Sequence, residues 1–269
     1  MGGRQAAGAG CRGTSAPAGL VTMRGSVAEL QAVLAVGGAR AAAVVAHLDD
    51  HLDRGGAAVL GGCAVGGAGA VDGVVIGGID DVATLLDGVY LDLVSVVLEA
   101  GPHFAAAADL LIEIWDRNGV STDERRGNLG ADPLGALAAG GRLPGGLAQT
   151  LTDAADLAVS TAAWPHVQAI HVDTAPYVDA GASEAEELAI MLAAGVEYLG
   201  ALIDAGLPID VAATQLAFTL SADADVFATI AKLRAARRLW GHALAAAGAA
   251  DAAGAPLATR TATRMMTVR

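Results

Sequence analysis

The chain has 269 residues, long enough for one large domain or two small ones. Its formal net charge of −13 excludes nucleic acid as the main partner, because such binders cluster Lys and Arg to displace counterions from phosphate. It is 54% hydrophobic but only 3% aromatic, so the apolar mass is mostly Ala, Val, Leu and Gly, which suits closely packed α/β layers.

Residues 1–25 are rich in Gly, Ala, Arg and Ser and show no hydrophobic period. They read as disordered, or as a stretch translated outside the natural fold, within an atypical leader over 1–40. No signal peptide is recognised. The longest uncharged run, residues 55–71, is too rich in glycine for a membrane span. Cys11 and Cys63 form no C-x-x-C and have no His pair at zinc spacing, so neither a disulfide framework nor a zinc site is expected. A reducing cytoplasm is the expected compartment.

Residues 26–36 and 41–52 are predicted to be helical, with Ser26 and Glu29 as a capping box. Residues 57–65 read as a short strand broken by glycine, and 66–78 as ambiguous. Residues 79–86 read as a short helix with Asp80 and Asp81 in its first turn. A rhythm then sets in. Strands are predicted at 93–98, 127–131, 169–172, 215–220 and 257–261, with a strand-like ending at 157–162. Helices are predicted at 103–117, 147–157, 183–205 and 224–247, with Ser183 and Glu186 capping the third. Short strands alternating with long helices imply parallel βαβ units, closed as a barrel or open as a doubly wound sheet. Periodicity does not choose between the two.

Gly67-Ala-Gly69-Ala-Val-Asp72 is like a dinucleotide fingerprint without its third glycine, but no helix start follows, so a glycine loop is the expectation. His47 and His51 stand four apart in a predicted helix. The metalloprotease pattern needs Glu where Leu48 stands, so a solvated polar face is expected. Asp153 with Asp156, and Asp223 with Asp225, are expected near helix starts as dipole partners. Lys232, Arg234, Arg237 and Arg238 are the densest basic cluster. On a helix the three arginines share one flank, while Ile230, Leu233 and Leu239 can face the barrel wall. Two readings stay open for this cluster: a contact with an anion or partner subunit, or plain solvation.

A family likeness rests on these segments. Gly181-Ala-Ser-Glu-Ala-Glu-Glu-Leu-Ala189, Glu197-Tyr-Leu, Asp204-Ala-Gly-Leu-Pro-Ile-Asp210 and Phe227-Ala-Thr-Ile-Ala-Lys-Leu-Arg-Ala-Ala-Arg-Arg-Leu-Trp240 closely resemble successive parts of the methylmalonyl-CoA mutase barrel. Leu86-Asp-Gly-Val-Tyr-Leu-Asp-Leu93 and Arg126-Gly-Asn-Leu-Gly-Ala-Asp-Pro-Leu134 resemble the version in the small subunit of heterodimeric bacterial mutases. The likeness covers roughly residues 41–269. It implies a partial (β/α)8 TIM-type barrel over 41–269, incomplete at its C-terminus. It also implies a place in an adenosylcobalamin-dependent isomerase that converts (R)-methylmalonyl-CoA to succinyl-CoA in propionate metabolism.

Carried over residue by residue, the resemblance implies a structural rather than a catalytic subunit. A Tyr-His pair of the catalytic subunit aligns with Ala175 and Pro176, neither of which has a side chain that can donate a proton. Its strand Gln aligns with Gly130, its carboxylate-binding Arg falls near Gln149, and its Arg-x-Ser aligns with Gln215-Leu-Ala217. The cobalamin domain, with its D-x-H-x-x-G, is absent from the chain. The expectation is therefore no catalytic, cofactor-binding or metal-binding residue here and no cofactor bound by this chain alone. The expected partner is the catalytic large subunit, in a heterodimer. Acyl-CoA is a ligand only by resemblance, and neither nucleic acid nor membrane is expected. The alternatives are a stand-alone acyl-CoA substrate domain fed by a separate cobalamin protein, and a non-functional truncated gene product.

Overall fold

A computed structural model describes residues 78–87, 89–249 and 254–262, together with the backbone of five earlier strands. Those are β1 (Val21–Met23), β2 (Ala43–His47), β3 (Ala58–Leu60), β4 (Cys63–Val65) and β5 (Val74–Ile76). β1 pairs antiparallel with β5, and β3 with β4. The remaining strands are β6 (Ser95–Glu99), β7 (Gly127–Ala131), β8 (Val167–Asp173), β9 (Leu216–Ala222) and β10 (Leu257–Thr261). The helices are α1 (Ile79–Leu85), α2 (Phe104–Arg117), α3 (Pro133–Gly140), α4 (Gly146–Thr161), α5 (Ala175–Asp179), α6 (Glu184–Asp204), α7 (Ile209–Thr214) and α8 (Val226–Ala247). None of the described helices is long and apolar enough to cross a membrane.

Six strands form one sheet in the order β10-β9-β8-β7-β6-β2, and every pairing in it is parallel. From β6 to β10 this order follows the chain without reversal. A doubly wound sheet would reverse at a switch point. A second observation decides the matter. Arg260 in β10 forms an ion pair with Glu99 at the end of β6. Four strand spacings separate them, roughly 19 Å across a flat sheet, which no arginine can reach. The sheet is therefore curled, as an incomplete TIM-type barrel.

The two faces of the sheet differ accordingly. Phe218 meets Trp240 of α8 edge to face, with ring centroids 4.9 Å apart, so it points to the helical wall. Its neighbour Thr219 points the other way, where its Oγ1 lies 2.7 Å from His171 Nε2. α2, α4, α6 and α8 pack one against the next along the outer wall. At the N-terminal ends of the strands, the Arg125 guanidinium lies 4.6 Å from the Trp164 ring and 5.8 Å from the Trp115 ring. Its Nε donates to the Val120 carbonyl at 3.2 Å, which pins the loop entering β7.

β7 is irregular. Its register with β8 shifts between Asn128 and Ala131. Gly130 takes φ +74°, and a Cβ there would collide with the Leu98 carbonyl. Asn128 completes the bulge. Its Oδ1 accepts from Gly130 N at 2.8 Å, and its Nδ2 donates to the Ile170 carbonyl at 3.2 Å.

Several sequence expectations are corrected. Residues 41–52 are not one helix, because Ala43–His47 form β2, parallel to β6. A short continuous apolar run fits a buried parallel strand as well as a helix. Val21–Met23, inside the expected structureless leader, form β1. Residues 157–161 continue α4 instead of starting a strand. There the Ser160 and Thr161 hydroxyls donate to the Leu157 carbonyl at 2.7 and 2.9 Å, helping to satisfy the helix end. Asp153 and Asp156 consequently lie inside α4, not at its start. The short helices α3, α5 and α7 were not anticipated. The helix expected over 26–36 and the glycine loop at 67–72 lie outside the described residues. The Ser183–Glu186 capping box is present as expected.

α6 and α8 approach closely because Gly195 has no side chain. A Cβ there would sit 2.8 Å from Trp240 Cζ3 and 3.0 Å from Phe218 Cζ. Gly195→Ala is therefore expected to destabilise the fold by about 1–3 kcal/mol despite its better helix propensity. Gly200→Ala, on the same helix with nothing within 4 Å of the new Cβ, should stabilise by up to about 1 kcal/mol. Urea unfolding of the two variants checks the pair, and equal midpoints would contradict the packing argument.

Candidate functional site

Parallel barrels place their chemistry at the C-terminal ends of the strands. Two polar clusters occupy that mouth, at the ends of the strands, and a third lies behind it.

The first cluster crosses the lumen. Arg260 Nη1 donates to Asp173 Oδ2 at 3.2 Å, while its Nη2 pairs with Glu99. Asp173 Oδ1 accepts from Ala175 N at 3.0 Å, which anchors the first turn of α5. Burial pulls the Arg260 pKa down, but the charges of Asp173 and Glu99 outweigh it and hold the guanidinium above its ordinary value.

The second cluster closes β7. Asp132 Oδ1 accepts from Tyr198 OH at 2.6 Å and from Gly135 N at 3.0 Å, and Oδ2 accepts from Asp173 N at 3.0 Å. Leu134 N in turn donates to Tyr198 OH at 2.8 Å. Burial pushes the Asp132 carboxyl up, although its three hydrogen bonds oppose this. Burial, then the charge of Asp132, pushes the Tyr198 phenol up as well, so it stays a donor.

The third cluster sits behind the mouth, between α6 and α8. Glu187 and Lys232 side chains are each 1% exposed, with Nζ 2.5 Å from Oε2. Glu187 Oε1 also accepts from Thr174 Oγ1 at 2.5 Å and from Ser221 N at 2.6 Å. Lys232 pairs with Glu184 too. Lys232 therefore does not belong with the exposed basic flank. The inward face differs from the expected one. Thr229, Lys232, Ala236, Trp240 and Leu244 face inward, while Ile230 and Leu239 are exposed. Arg234, Arg237 and Arg238 are exposed as expected.

The positions carried over from the family take defined places. Ala175 and Pro176 open α5, and Pro176 occupies a first-turn site whose backbone needs no donor. Gly130 is the bulge residue and has no room for a longer side chain. Gln149 lies exposed on α4, donating to Asp153 at 2.9 Å. Gln215 is buried just before β9, and its side-chain oxygen has no hydrogen-bond partner among the described residues. Leu216 and Ala217 are buried in β9. His47 stands in β2, in register with Glu99, so helical i, i+4 spacing with His51 does not arise; His51 lies outside the described residues. Among the described residues, no group of three His, Cys, Asp or Glu side chains is placed to hold a metal ion.

Sequence reasoning did not single out Glu99, Asp173, Glu187 or Arg260. A usable signal was present, because Glu99, Asp132 and Asp173 each stand at or just past the end of three successive strands. Chemically, the mouth is self-satisfied. An incoming anion would meet an Arg260 already paired with Glu99 and Asp173, whose charges oppose it.

Two outcomes follow for the buried groups. Lys232→Met leaves the Glu187 charge buried beside weaker partners, and should cost about 3–5 kcal/mol. Adding Glu187→Gln should recover part of that loss, and a double-mutant cycle by urea unfolding measures the coupling. Asp132 supplies a pH test. Its folded-state pKa is raised from 3.8, so the proton is held more tightly in the fold. The stability this confers is present in acid and is lost as pH rises through the folded-state value. Relative to the parent, Asp132→Asn should gain stability as the pH rises from about 4 towards neutral. A flat difference across that range would overturn the assignment.

Residues 62–269 match the family profile described as methylmalonyl-CoA mutase. A methylmalonyl-CoA mutase small subunit from Streptomyces virginiae is 50% identical over 171 residues, covering 63% of this chain and 27% of that protein. A probable small subunit from Mycobacterium bovis is 35% identical over 196 residues, covering 71% and 30%. The large subunit from Streptomyces virginiae is 31% identical over 169 residues, covering 62% and 23%. The chain thus spans less than a third of the length of these relatives. With the profile matched over most of its length, and a curled parallel barrel beneath it, the chain belongs to the methylmalonyl-CoA mutase family and resembles its small subunits.

Proposed function

We propose that the chain is the barrel part of a structural small subunit that associates with a catalytic large subunit. The whole complex would convert (R)-methylmalonyl-CoA to succinyl-CoA with adenosylcobalamin, in the cytoplasm. The observation that carries the reading is the mouth itself. Ala175 and Pro176 stand where the resemblance puts the catalytic subunit's Tyr-His pair, and they serve as the opening turn of α5. Around them, the charges of Glu99, Asp173 and Arg260 are engaged with one another. Relatives in one organism support the same choice, since the small subunit is 50% identical and the large subunit 31%.

The residues of the mouth do not fit cobalamin. Its described donors are mutually paired carboxylates and a guanidinium, and the luminal imidazole of His171 is held by Thr219. No chemical step is therefore derived through that group for this chain. What this chain would contribute is a rigid wall and an interface.

The test uses the purified full chain. Incubated with (R)-methylmalonyl-CoA and adenosylcobalamin, it should form no succinyl-CoA. Co-expressed with a mutase large subunit, it should co-purify in a stable complex. Turnover by the isolated chain, or failure to associate with the large subunit, would sink the proposal.

A further inference from the structure

Lys232 is the only lysine in the chain; every other residue among its 16 Lys and Arg is an arginine. Side-chain amine chemistry therefore converges on one atom, Lys232 Nζ. Guanidinium groups stay protonated at neutral pH and do not compete for acyl groups.

The fold closes that atom off. The Lys232 side chain is 1% exposed, and its Nζ lies between two carboxylates of α6, 2.5 Å from Glu187 Oε2 and paired also with Glu184. Glu187 is itself fixed by Thr174 Oγ1 and Ser221 N. The ammonium thus sits where α6, α8 and the ends of β8 and β9 converge. Acylation needs a free amine with a lone pair and a path for the acyl donor. The folded chain supplies neither. Both arise when α6 and α8 part, which also undoes the close packing of Gly195 on Trp240.

We propose that Lys232 is a fold-gated acylation site, modified by acyl thioesters when the helices part and unable to return once modified. In the opened chain the free Nζ attacks the thioester carbonyl carbon. The C–N bond forms and the C–S bond breaks. The thiolate leaves, and the proton lost by nitrogen passes to it or to buffer. The product amide has no charge and one N–H in place of three. Returned to its place, it would leave Glu187 buried without its cation and press an acyl group into a close-packed interior. A transient opening is thereby converted into a lasting one. An arginine at this position would keep the charge and offer no such nucleophile.

The inference goes beyond the subunit reading and holds with or without a large subunit. Its test uses the full chain, with succinyl-CoA as the probe. A synthetic peptide of residues 226–238, blocked at its N-terminus, is the reference for an open amine. Peptide mass spectrometry reads acylation at Lys232. The native chain should react there at least about 100-fold more slowly than the peptide, because the rate follows the opening equilibrium. In urea beyond the midpoint the two rates should converge. Gly195→Ala should speed the native reaction at least about fivefold, whereas Gly200→Ala should not speed it. After urea is removed, circular dichroism should show that the chain acylated at Lys232 stays unfolded. A chain acylated only while native, with Lys232 intact, should refold, which separates modification elsewhere from modification of Lys232. A smaller difference from the peptide, no acceleration in Gly195→Ala, or refolding of the Lys232-acylated chain would each overturn the proposal.

Discussion

Arg260 reaches from β10 to Glu99 at the end of β6, and the contact exists only because the sheet between them curls. Curling divides the strands into a crowded inner face and a broad outer one. The inner face accepts small or hydrogen-bonded side chains, such as Ala217, Thr219 and His171. The outer face takes Phe218 and the helical wall. The bulge in β7 belongs to the same constraint. β7 presses so closely on β6 that glycine is needed at Gly130, and Asn128 supplies the hydrogen bonds that the disrupted ladder lacks.

The helical wall solves a related problem with few aromatic groups. Only 3% of residues are aromatic, so burial relies on close approach more than on large side chains. Gly195 lets α6 settle against Trp240. Close approach also traps polar groups, and Glu187 shows how their burial is compensated. Its carboxylate takes three partners, from Lys232, Thr174 and the Ser221 backbone. One side chain thereby ties two helices to two strand ends. Desolvation of the ions is offset by that full set of bonds, so the network is more sensitive to loss of one member than to loss of all.

Much of the architecture was legible because strands and helices differ in period. β7, β10 and the Ser183 capping box were read within a residue or so of their place, and the family likeness chose the barrel over the open sheet. The failures share a cause. Residues 41–52 are a short apolar run whose period is undetermined, and only pairing with β6 makes part of it a strand. The inward face of α8 was misphased because Lys232 was grouped with its cationic neighbours. A lysine is buried only when acids await it, and Glu184 and Glu187 lie on another helix. Likewise Glu99 and Arg260 are 161 residues apart, a pairing no local pattern announces.

The same reasoning bears on what the mouth can do. A polar group serves binding or chemistry when part of its hydrogen-bonding capacity remains for a ligand. Asp173 directs one oxygen to Arg260 and the other to the α5 backbone. Asp132 accepts from Tyr198 and two backbone amides. Taking either carboxylate for a ligand would uncap a helix or leave a buried donor without its acceptor, at about 1–3 kcal/mol each. Ala175 and Pro176 then complete the picture, because a proline in a helix's first turn suits Asp173 as a capping acceptor and offers nothing to a substrate. The polarity of this mouth is held by the fold, which leaves the outer helical faces, where Arg234, Arg237 and Arg238 find no internal acid, as the surface with charge to offer a partner.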